Sequence, residues 1–425
     1  MKLSVSALLT VALAGLLSQA VQAADPQTSF KFSFGPDKNV PGYTAVKPTD
    51  VYKKGAANAW GFEEAPVIKE VARKGADPLT SGFITSDKPF YFSVAVPEGN
   101  YKVTITAGDI GDTPTDLTVK AELRRLMIEH FHLDAGKTGK TSIVVNVRVP
   151  AYPGGRVGLK QPRETTNEAW AWDEKLTLEL NNAHQNICAI EVEKVDVPTI
   201  FILGDSTTCD QSAEPWSSWG QTFPRFFKDD IAVSNNGESG ESVASSLGAR
   251  RFEKVWSLMK KGDYLFFVYG HNDMKGGSIA AFQNNYRKVV ETTRAKGGIP
   301  VILSAVERKG GVEKSTLAGY PEAAKAVADE TKTLFIDMNG ESRKLYKALG
   351  PDLNAIFQDG THHNNIGSYE ISQIVMQGIR DNKIDDLIAH FRPEVKPFDP
   401  TKPDKVADYK IPASPKFSSQ TPLGS

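Results

Sequence analysis

Ser206 stands in Gly204-Asp205-Ser206-Thr207, directly after the apolar run Thr199-Ile200-Phe201-Ile202-Leu203, where a turn out of a strand can present a hydroxyl to a cleft. A serine needs a general base, a group that orients the base, and donors for the charge that develops on the attacked carbonyl oxygen. Residues of those types recur in three further stretches. His362 supplies the base in Asp359-Gly360-Thr361-His362, and Asp359, three residues earlier, shares one side of a helical turn or tight loop with it. The carboxylate can hold Nδ1–H and leave Nε2 to accept the serine proton. Asn272, in Gly270-His271-Asn272-Asp273, offers an amide donor. Gly240 offers a backbone N–H with no Cβ to obstruct a substrate, and Ser206 its own N–H. Together these parts point to an esterase.

Other residues compete for the same roles. His271 is the second candidate base, with Asp273 as its near carboxylate, and His363 is read as a surface or substrate-lining histidine. Zinc held by His362, His363 and Asp359 would lack a recognisable fourth ligand, so neither a metal nor an organic cofactor is expected. Cys209, three residues after Ser206, reads as a small buried thiol, and with Cys188 it allows at most one disulfide. Trp216, Trp219, His271 and His363 are candidates for contact with substrate. Aromatic faces suit the C–H side of pyranose rings, but Trp216 and Trp219, and the pair Trp170 and Trp172, fit a core or an interface equally well.

Two kinds of scaffold surround these blocks. The apolar runs at 199–203, 264–269, 299–303 and 334–336 lack alternation, and helical patterns at 278–296 and 320–332 separate them. That grammar predicts a parallel sheet covered on both faces, with ligands at the carboxyl ends of its strands. Upstream, residues 101–106, 116–121, 142–147, 175–180 and 188–192 alternate apolar and polar, separated by turn residues, which predicts a β-sandwich or jelly roll. The divisions are 1–23, 24–197 for the β domain, 198–392 for the α/β domain, and 393–425, a Pro- and Lys-rich strap or disordered tail. The catalytic blocks all lie beyond Pro198, so the β domain is expected to give no triad or oxyanion residue and at most one wall of the substrate groove.

Gly204-Asp205-Ser206, Gly240, Gly270-His271-Asn272-Asp273 and Asp359-x-x-His362 resemble the four blocks of the SGNH hydrolases. Asn235-Asn236-Gly237-Glu238-Ser239-Gly240 and the Gly367 that follows His362 make the pattern most similar to the rhamnogalacturonan acetylesterase branch. The resemblance covers about residues 199–390 and implies a flavodoxin-like α/β/α fold that removes O-acetyl groups from pectic polysaccharide. It implies Ser206 as nucleophile, Gly240 and Asn272 as oxyanion donors, and Asp359 and His362 as the rest of the triad. The opening Phe30-Lys31-Phe32-Ser33-Phe34-Gly35-Pro36 resembles a galactose-binding-like domain.

Residues 1–23 carry Lys2, an apolar core from Leu8 to Leu17 and Val21-Gln22-Ala23, the pattern of a cleavable signal peptide, so a secreted or periplasmic protein is expected. The net charge of −1 gives no basis for binding nucleic acid or anionic membrane. The leading reading is therefore an exported carbohydrate O-deacetylase acting on acetylated poly- or oligosaccharide through an acetyl-serine intermediate. A lipase or lysophospholipase of the same superfamily, or an inactive carbohydrate-binding protein, are the alternatives.

Overall fold

Alternation in the first half of the chain produces antiparallel strands with one apolar face. In Gly99–Gly108, Tyr101, Val103 and Ile105 point into a core while Lys102 and Thr104 are half-buried on the other face. The computed structural model describes residues 26–36, 39–56, 58–64, 66–75 and 77–423, so the signal-peptide reading lies outside the described residues. The strand Gly99–Gly108 sits between Thr138–Val147 and Ile187–Val195 in a seven-stranded sheet that also holds Ser29–Phe34. A second, five-stranded sheet runs in the order Trp60–Phe62, Phe90–Ala95, Lys175–Asn181, Thr115–Ala121, Arg125–Leu133. Phe32, Phe92, Val103, Leu117, Leu178 and Ile190 pack between the two. Lys175–Asn181 departs from simple alternation: all seven of its residues are buried, the polar ones included.

Beyond Pro198 the apolar runs form five parallel strands in the order Ala232–Asn235, Thr199–Gly204, Tyr264–Val268, Ile299–Leu303, Leu334–Ile336. By chain order this is 2-1-3-4-5, the flavodoxin-like doubly wound arrangement, whose crevice lies where the first and third strands part. Helices Ile279–Ala295 and Tyr320–Thr331 cover one face through Phe282, Tyr286, Val289 and Val327. Helices Met338–Leu349 and Asn365–Asp381 cover the other through Leu345, Ile371 and Val375. Ser278 caps the first of these helices by accepting from the Ala281 N–H.

Charged side chains join the two regions. Arg125 meets Asp210 at 2.6 Å, Arg124 meets Glu214 at 2.6 Å, and Arg251 meets Glu164 at 2.5 Å, all buried. After 393 the chain first follows helix Asn365–Asp381, against which Val395, Phe398 and Val406 pack, and then crosses to the β-rich region as an extended strap. Lys120 donates to the Pro412 carbonyl and to Ser414, Asn181 to the Ala413 carbonyl, and Ser414 to Glu179. The strap helps to bury Glu179 and Asn181, at the end of Lys175–Asn181. Farther along, Glu214 exchanges backbone hydrogen bonds with Lys416 and Ser418 at 2.7 Å each, and Leu423 lies against Gly240.

Candidate active site

The strand Thr199–Gly204 delivers Ser206 to the crevice side of the sheet, and a turn held by Asp205 fixes it there. Asp205 Oδ1 accepts from the Thr207 N–H at 2.9 Å and from the Thr207 hydroxyl at 2.8 Å. Just before helix Asn365–Asp381, Asp359 closes a similar turn by accepting from the N–H groups of Thr361 and His362, both at 2.6 Å. Its other oxygen lies 2.7 Å from His362 Nδ1, and His362 Nε2 lies 2.8 Å from Ser206 Oγ. With Nδ1–H given to the carboxylate, Nε2 is the atom placed to receive the serine proton. Burial alone would raise the Asp359 carboxyl, but the His362 ring and the two amides outweigh it and hold it at about 2.

The remaining blocks are fastened to this line and to one another. His271 Nδ1 stands 3.1 Å from Asp205 Oδ2, linking the turn after the first strand to the turn after the third. Asn272 Nδ2 donates to the Glu241 carbonyl at 3.0 Å, and Asp273 accepts from the Val243 N–H at 3.1 Å. Gly240 has φ +75°, a conformation that suits a residue without Cβ. No acceptor among the described residues takes the N–H of Gly240 or of Ser206. Beside Asn272 lies a cavity of about 250 Å³ lined by Ser242, Asp273, Ser278, Phe282 and Asn285. Ser206 and His362 themselves are only 1% and 2% exposed, so in this conformation the site is nearly closed.

Three of the residues considered for substrate contact are placed elsewhere. Trp219 packs edge-on to Phe223 in the core and donates from Nε1 to Thr208. His271 is buried against Asp205. His363 is buried between Phe357 and Tyr346, with Nε2 2.9 Å from the Tyr346 hydroxyl. Burial lowers its pKa to about 3, with His362 and His271 adding to the effect, so the ring is neutral. It faces away from His362 and Asp359, which removes the geometry for zinc between them. Among the described residues the group that could hold a cation is Asp116, His130 and His132, on the β-rich region. Trp216, in contrast, stands edge-on to His362 with ring centroids 5.9 Å apart. Trp172 lies under Arg148 at 4.5 Å, and Trp170 under Lys175 at 4.5 Å. No disulfide joins Cys188 and Cys209, and both are buried. Burial, more than any neighbour, pushes the Cys209 thiol far up, so it stays protonated.

The β-rich region reaches the Gly240 turn more closely than chain order suggests. Lys160 donates to the Ser239 carbonyl and pairs with Glu241 at 2.8 Å, while Arg163 donates to the Ser239 hydroxyl at 2.8 Å. Arg163 also donates to Gln211, which in turn donates to the Ser206 carbonyl. Lys160 lies 79 residues before Ser239, and no local pattern marks it.

Residues 202–368 match the GDSL-like lipase/acylhydrolase family. The chain is 31% identical over 207 residues to the rhamnogalacturonan acetylesterase RhgT of Bacillus subtilis, covering 43% of this chain and 89% of the relative. It is 24% identical over 385 residues to the esterase YxiM of the same organism, covering 85% and 92%. A crystal structure of YxiM aligns with 85% of this chain and 100% of its own at 21% identity and a TM-score of 0.44. Family match, relatives and blocks agree on one conclusion: the chain belongs to the GDSL-like, or SGNH, hydrolases and is a serine carboxylic ester hydrolase.

Proposed function

We propose that this esterase removes O-acetyl groups from plant cell-wall polysaccharide, with acetylated rhamnogalacturonan as its substrate. The observation that carries the reading is the unbroken line from Ser206 Oγ through His362 to Asp359, at 2.8 and 2.7 Å, beside N–H groups left without acceptors among the described residues. The polymer is taken from the relative RhgT, a rhamnogalacturonan acetylesterase.

In the proposed reaction Ser206 Oγ attacks the acetyl carbonyl carbon as its proton passes to His362 Nε2. The N–H groups of Ser206 and Gly240 and the Asn272 amide receive the oxyanion. Collapse breaks the bond to the sugar oxygen, which leaves with the proton from His362. Water then attacks the acetyl-serine and gives a proton to the same nitrogen; collapse breaks the bond from the acyl carbon to Oγ, Oγ takes that proton back from His362, and acetate is released with its remaining proton passing to solvent. Asp359 stays ionised throughout and holds the ring.

The β-rich region is read as a sugar-contacting module of galactose-binding-like type, with Trp170 and Tyr52 lining a cavity of about 420 Å³. The N-terminal pattern supports export to the periplasm or medium. No helix among the described residues is long and apolar enough to cross a membrane. Acetate release from acetylated rhamnogalacturonan, xylan and mannan tests the assignment, with rhamnogalacturonan expected to react fastest. Faster release from another polymer would replace the substrate. A preference for p-nitrophenyl octanoate over the acetate would replace the class with a lipase.

A further inference from the structure

The Gly240 N–H and the Ser239 carbonyl belong to one planar peptide, so whatever grips the oxygen also aims the N–H. Lys160 grips that oxygen. Its ammonium is held from a second side by Glu241 Oε1 at 2.8 Å, and it lies 3.5 Å from where a Cβ on Gly240 would stand. Its own backbone is fixed as well: the Lys160 N–H donates to Glu164 at 2.7 Å, and Glu164 is locked by the buried Arg251. Arg163, three residues on, holds the Ser239 side chain. The turn is thus clamped at carbonyl and hydroxyl by two cations from the β-rich region, while its amide hydrogen has no acceptor among the described residues.

A cation on a peptide oxygen draws electron density from the nitrogen and strengthens the N–H as a donor, the cooperative polarisation of linked hydrogen bonds in a low-dielectric setting. We propose that Lys160 is a positioning residue for ester hydrolysis: it fixes and polarises the Ser239–Gly240 peptide so that the Gly240 N–H meets the oxyanion. This rests on the reading of Ser206 as nucleophile and Gly240 as donor. It makes the β-rich region part of the catalytic apparatus, although that region supplies no atom that touches the reacting ester.

The test uses the full chain with Lys160→Met, Lys160→Gln and Lys160→Arg on p-nitrophenyl acetate. Lys160→Met is expected to lower kcat about ten- to a hundredfold with KM within about twofold, less than the roughly 10²–10³ that follows loss of an oxyanion donor itself. Lys160→Arg, which keeps the charge, should recover most of kcat, and Lys160→Gln, which donates without charge, should fall between. The Ki of a small alkyl boronic acid, which forms a tetrahedral anion on the serine, should rise by the same factor as kcat falls. Loss of folding alone would not produce that match. A folded Lys160→Met enzyme with kcat and boronate Ki within twofold of wild type overturns the proposal. If Lys160→Met does not fold, equal kcat for the Gln and Arg variants overturns it. A Ser206→Ala control separates the two readings: activity there means the nucleophile is wrong, whereas an inactive control with an unaffected Lys160→Met means only this inference is.

Discussion

Ser206 makes few packing contacts that a smaller side chain would lose, so Ser206→Ala is expected to fold as wild type and to lose roughly 10⁴-fold or more in kcat. Circular dichroism and p-nitrophenyl acetate hydrolysis check the two halves. The adjacent histidines should divide by activity. His362→Ala should be nearly as inactive as the serine variant, and since it removes a buried ring and its hydrogen bond to Asp359 it should lose stability as well. His363→Ala removes a buried ring and its hydrogen bond to Tyr346, so it should cost about 2–3 kcal/mol by urea unfolding while its folded fraction turns over normally. The pH response follows from Asp359. Its carboxyl is lower in the folded state, at about 2, than its ordinary 3.8, so the unfolded chain binds more protons between those values. Its contribution to stability is therefore complete above about pH 4 and is lost as the pH falls through 2. Ellipticity followed as the pH is lowered checks this; a loss already complete above about pH 4 would contradict it. The spacing Asp-x-x-His led to His362 rather than His363, and the structure sets the His362 ring between Asp359 and Ser206. Nothing local could show that Trp219, His271 and His363 would be buried, because that depends on helices and strands far away in the chain.

Loops become a site here because they are fastened across the crevice. Asp205 holds its own turn through Thr207 and reaches His271, while Asn272 and Asp273 hold the segment after Gly240. Residues that sequence reading placed inside motifs thus turn out to be ties between motifs. Asp205→Ala strands the Thr207 N–H and hydroxyl and the His271 ring, and is expected to cost about 1–3 kcal/mol in denaturant unfolding. Because it also loosens the serine turn, kcat on p-nitrophenyl acetate should fall as well. Four of the five parallel strands were legible as unbroken apolar runs. The fifth, Ala232–Asn235, was not: it is short, and its second half is Ser234-Asn235. Those polar residues are held by bonds that appear only in the fold, such as Asn235 to Asp210 at 2.8 Å.

Across the whole molecule, the boundary at 197 divides two patterns of sequence but not two independent bodies. A fragment beginning there would strip Asp210, Glu214 and Arg251 of their partners and open the packed surface between the two regions to water. It is therefore expected to aggregate or unfold, losing the small ester and the polymer alike. Expression with sedimentation and circular dichroism checks this; a folded, active fragment would show the ionic interface to be dispensable. The β-rich region was legible as strands, but its hold on the Gly240 turn was not, since Lys160 and Ser239 meet only once both regions are assembled. The strap adds a constraint of another kind. Lys120 is joined to Ser414, 294 residues later, and Glu179 and Asn181 of the second sheet bond to the same late segment. During synthesis Lys120, Glu179 and Asn181 are expected to stay in water until residues 412–414 have emerged. The β-rich region is therefore expected to reach its final packing only after the hydrolase region has been made.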